Sequence, residues 1–118
     1  MQSLLARNRN SDLRAYFIWG PYLQADSLEL ARVDSNKFNA PAATYFWTPT
    51  DKLARELSSV LGLPAGRPAW DVYLLYAKGL TWDRTFPAPT YWQHQIDVIQ
   101  GEPLNLPKLQ SKVEQLLR

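Results

Sequence analysis

Apolar positions in this chain come in short bursts whose spacing changes from one burst to the next. Leu13 to Tyr22 (Leu-Arg-Ala-Tyr-Phe-Ile-Trp-Gly-Pro-Tyr) is almost continuously apolar or aromatic and stops at Gly20-Pro21, which predicts a β-strand covered on both faces. Asp26-Ser27 then offers a helix N-cap. Leu28, Ala31, Ser35 and Phe38 follow at helical spacing, so residues 27–38 read as a helix ended by Pro41. Ala43 to Trp47 is a second short strand. Thr48-Pro49-Thr50-Asp51 reads as a helix start, with Thr48 as cap, Pro49 in the first turn and acidic Asp51 facing the dipole. Leu53, Leu57, Val60 and Leu61 give that helix one apolar face, and Gly62 closes it.

The second half changes register. Trp70 to Tyr76 is the strongest strand signal in the chain, and Lys78-Gly79 reads as a hairpin turn into Leu80-Thr81-Trp82. Residues 83–105 carry Pro87, Pro89 and Pro103 and read mostly as loop, with a short helical or extended piece around 91–100 left open. Pro107 opens a terminal helix whose Leu109, Val113, Leu116 and Leu117 form one stripe. Strands followed by helices imply parallel pairing through right-handed crossovers, and the hairpin adds an antiparallel edge. The expected product is one α/β domain over residues 13–118 behind a flexible segment, 1–12, built on a mixed sheet of four strands in β-α-β-α-β-β-α order.

Composition narrows the chemistry. A chain of 118 residues with 46% hydrophobic and 20% charged residues is an ordinary folded domain, which buries about two thirds of its unfolded surface. Five Trp, each burying roughly 150–250 Å², make a metal or disulfide staple unnecessary. The formal charge of +2 is too small to call for nucleic acid, and Arg7, Arg9 and Arg14 read as a solvated terminus rather than a phosphate grip. No stretch approaches the roughly 18 apolar residues of a membrane span. If Met1 is the native start, the expected location is the cytoplasm, since the first residues lack the apolar run of a secretory signal. No phosphate loop, metal-ligand spacing or cofactor motif occurs, so no cofactor or metal is expected.

The element order is that of the thioredoxin core, and two local features sharpen the comparison. Trp19-Gly20-Pro21-Tyr22 follows the first strand where thioredoxins place Trp-Cys-Gly-Pro-Cys, and Asp51 through Gly79 is similar to the second half of that family. Pro68 lies near the place of the family's cis-proline. The resemblance covers roughly residues 13–118 and implies the scaffold, with a groove beside Trp19–Tyr22 and the Pro68–Trp70 turn. It departs from the family at the decisive point: the chain has no cysteine, so thiol–disulfide exchange through its own thiolate is chemically excluded.

Two polar positions are candidates for catalysis. His94, the single histidine, lies near Asp83, Arg84 and Asp97, and a carboxylate-oriented imidazole can act as a general base. A solvated or hydrogen-bonded loop histidine is the favoured reading. Asp71 sits within the most apolar strand, where a carboxylate either lines a cleft or is tied to backbone amides or to Arg67 or Arg84. The aromatic set points elsewhere. Trp82, Phe86, Tyr91 and Trp92 share a proline-rich segment, and together with Trp19 and Tyr22 they are the candidate binding residues. The competing reading is that these rings plug the end of the sheet. The function expected is a non-catalytic binding module for a protein partner, a second copy included. The alternative is a small-molecule site or acid–base enzyme with Asp71 and His94 in one cleft.

Overall fold

The computed structural model describes residues 2–8, 12–20 and 43–118, and within them the chain is mixed α/β with three helices and two small sheets. The helix expected over 27–38, and Tyr22, lie outside the described residues. The chain divides into two compact units that meet in sequence between Asp51 and Lys52. Each is taken by itself.

The first unit begins with helix α1, Gln2–Arg7, in the stretch expected to be a flexible lead. Leu4 and Leu5 are buried, and Asn8 closes the helix by donating its side-chain amide to the Leu4 carbonyl at 2.8 Å. Strands β1 (Ala15–Trp19) and β2 (Ala43–Trp47) pair in parallel, Ala15 opposite Ala43 and Trp19 opposite Trp47. The Thr48 N–H donates to the Trp19 carbonyl at 2.8 Å and extends the ladder by one rung. Thr48 is therefore the end of a strand and not the helix cap expected of it: the next helix starts at Lys52. Alternation puts Phe17 and Tyr45 on one face, stacked at 5.1 Å, and Tyr16 and Phe46 on the other. Tyr16 is 64% exposed and Phe46 50%, so the expectation of strands covered on both faces is not met.

The second unit holds α2 (Lys52–Leu61), β3 (Val72–Leu75), β4 (Tyr91–His94), β5 (Glu102–Pro103) and, as far as Leu116, α3 (Leu106–Leu117). Helix α2 ends as its sequence indicates. Gly62 takes φ 71°, with Leu63 N–H to the Ser58 carbonyl at 3.0 Å and Gly62 N–H to that of Ser59 at 3.3 Å, the paired bonds of a Schellman cap. Its buried Leu57 and Leu61 form a core with Ala69, against which Leu53, Val72, Leu74, Phe86 and Trp92 pack. Asn105 caps α3 by accepting from the Lys108 N–H at 3.0 Å, and Pro107 occupies the first turn, where its missing N–H costs nothing.

The hairpin is where the structure departs furthest from expectation. A turn does form at Lys78-Gly79, with Leu80 N–H to the Ala77 carbonyl at 3.3 Å, but Leu80-Thr81-Trp82 does not return as a strand. β3 pairs instead with Tyr91–His94, antiparallel, with Leu75 opposite Tyr91 and Val72 opposite His94. β4 is the middle strand, since β5 joins its other side in parallel. The described strands thus form a two-stranded and a three-stranded sheet, not the single four-stranded one expected. Every described peptide bond is trans, including that before Pro68.

Candidate functional site

The loop between β3 and β4 brings Tyr76, Trp82 and Phe86 together. Tyr76, just past β3, donates its hydroxyl to the Pro87 carbonyl at 3.1 Å and pins the far arm of the loop. Trp82 meets Tyr76 edge-on at 5.7 Å and 78°, and meets Phe86 at 4.8 Å and 61°, arrangements that suit the ring quadrupoles. Phe86 continues into the core. Trp82 is thereby oriented on two sides and yet stays 38% exposed, with Leu80 beside it in sequence at 45%. Burial pushes the Tyr76 phenol above its ordinary pKa, while its hydrogen bond with Trp82 pulls the other way.

The remaining rings of the segment have structural work. Trp92 packs on the core, and Gly101 lies so close that a Cβ there would stand 2.7 Å from the indole. Tyr91 belongs to a polar chain linking β4, β5 and α3. Gln93, fully buried, accepts from the Asn105 N–H at 2.9 Å and donates to the Tyr91 hydroxyl at 2.8 Å. Tyr91 in turn donates to Glu102 at 2.9 Å, and Glu102 pairs with Lys108 at 2.5 Å. The Lys112 ammonium sits 5.3 Å from the Tyr91 ring centre. The Lys108 hydrogen bond, then that of Tyr91, holds the Glu102 carboxyl below its ordinary pKa, and Glu102 raises that of Lys108. Gln93, Glu102 and Lys108 carried no sequence signal. Asn105 did: an Asn two residues before a proline that opens a helix is a cap pattern.

The two catalytic candidates are placed very differently. Asp71 is exposed and precedes β3, at φ 51°, a region that Asp tolerates better than most residues. The expectation of a carboxylate inside an apolar strand is therefore corrected: the strand starts one residue later, and Asp71 contributes its backbone carbonyl to the Gln95 N–H at 2.9 Å. Asp71 also helps raise the Tyr73 phenol pKa, after burial, the larger cause. His94 is 2% exposed, on the middle strand. Its Nδ1 accepts from the Ile96 N–H at 3.3 Å, and its Nε2 is buried with no hydrogen-bond partner among the described residues. Its ring lies tilted on Trp92 at 5.6 Å. No hydrogen bond or ion pair joins Asp71 to His94.

Trp19, in the first unit, is half-buried, with its indole N–H buried and without a hydrogen-bond partner among the described residues. Among the described residues no three His, Asp or Glu side chains are grouped closely enough to hold a metal ion, and no helix is long and apolar enough to cross a membrane. No family model, curated protein or solved structure matches the chain.

Proposed function

We propose that this chain is a non-catalytic binding module that captures a protein partner, a second copy included, through the loop carrying Leu80 and Trp82. The observation behind the reading is Trp82 itself. Its ring is fixed by Tyr76 and Phe86 and still open to solvent, so docking on it costs little side-chain entropy. Rigid aromatic anchors of this kind carry much of the energy of protein interfaces. The scaffold we propose is thioredoxin-like in its element order, without redox activity. A parallel β1–β2 pair, a helix before β3, an antiparallel β3–β4 pair and a closing helix, in that chain order, support it.

A photo-reactive benzophenone side chain at position 80 tests the binding reading. Irradiated in purified protein and in an extract of its native cells, it is expected to give a covalent protein adduct that Trp82→Ala abolishes. Absence of any Trp82-dependent adduct in both settings would contradict the reading.

A further inference from the structure

We infer that the partner of the Leu80–Trp82 loop is a second copy of this chain, docked about a twofold axis so that Asp83 of each copy meets Arg84 of the other. The inference rests on the reading of that loop as the binding surface and adds the identity of what it binds.

The charges flanking the anchor carry the argument. Asp83 and Arg84 follow Trp82 directly, both are exposed, and among the described residues neither forms a hydrogen bond or ion pair. Long exposed charges are common and usually mean little by themselves. Here they are adjacent, opposite in sign, and set against an exposed apolar anchor. A twofold contact brings residue i to j and j to i, so a neighbouring acid and base form a self-complementary pair without any further design. Crossing the axis makes two Asp83–Arg84 contacts around the paired Trp82 rings, and the guanidinium plane suits the partner's indole face. Polynucleotide is a poorer fit, because Asp83 cancels Arg84 and leaves Lys78 as the one uncompensated charge of residues 78–86.

Size sets the strength. Stable interfaces engage about 20–30 residues a side. The stretch from Lys78 to Phe86 supplies nine. The pairing is therefore weak and concentration-dependent, with the charges governing register more than affinity.

Charge reversal in the full chain, followed by sedimentation velocity from micromolar to millimolar protein, is the test. The wild type is expected to shift from monomer to dimer as concentration rises. Asp83→Arg places two bases against two bases and Arg84→Asp two acids against two acids, so each is expected to weaken pairing by about tenfold or more. The double exchange restores pairing, and so does an equimolar mixture of the two single variants. Thermal melts of all variants are expected to match the wild type, since both side chains are solvated. A wild type that stays monomeric throughout, or a dimer indifferent to the reversals, overturns the inference. If that monomer still gives Trp82-dependent adducts with another protein from position 80, only the identity of the partner falls. If it gives none, the binding reading falls with it.

Discussion

At the scale of single residues, the tightest constraint is a glycine against an indole. Gly101 has φ 65°, and a methyl there would meet three atoms of Trp92 within 2.9 Å. Gly79 has φ 95° and open space around it, so alanine at 79 meets the backbone cost alone. Gly79→Ala is expected to cost about 1–2 kcal/mol, and Gly101→Ala roughly 2–5 kcal/mol because overpacking is added. Denaturant midpoints of the two variants check the order. The sequence marks Gly79 as a turn glycine, but the larger cost at Gly101 was not legible there: the close approach depends on which ring the fold brings to position 101. The same holds for Asp71. Its placement in the apolar strand followed from its neighbours, whereas the backbone needed a residue tolerant of positive φ just before the strand begins.

At the scale of elements, legibility tracked how local the cause is. Gly62 and the stripe of α2, and Pro107 with the stripe of α3, act through their own chain neighbours, and both stripes and both of these ends lie where the pattern puts them, while α2 starts at Lys52 rather than from the expected Thr48 cap. Strand pairing is a non-local choice. Lys78-Gly79 makes its turn, but Leu75 finds its partner at Tyr91, across a loop whose Pro87 and Pro89 disguise the strand that follows. The polar chain from Gln93 to Lys108 depends on that pairing and was invisible without it. Its pH dependence follows from Glu102. A carboxyl held below its ordinary value of 4.5 contributes stability that is present above that value and lost as pH falls through the folded-state pKa. Chemical melts between about pH 5 and about pH 3 should show this loss in the wild type and a shallower slope in Glu102→Gln. Equal slopes would mean that the carboxylate's partners contribute nothing to folding.

At the scale of the whole molecule, α/β character was legible because strand-like and helix-like periods alternate along the chain. The division into two units and the split of the strands between two sheets were not, since both depend on contacts between distant segments. Function narrows in the same way. The lack of cysteine removes thiol chemistry outright. Of the six aromatic candidates, Trp82 combines clear exposure with a fixed ring, while Tyr91 and Trp92 are held in the polar chain and the core. Everything proposed for the molecule therefore turns on whether Trp82 belongs to its surface. Paired unfolding curves of Trp82→Ala and Trp92→Ala decide this. Truncating Trp82 should remove two ring contacts at roughly 1–3 kcal/mol together, against about 3–5 kcal/mol for the cavity left by Trp92. A Trp82→Ala protein that unfolds as readily as Trp92→Ala would make that ring part of the core and contradict the account.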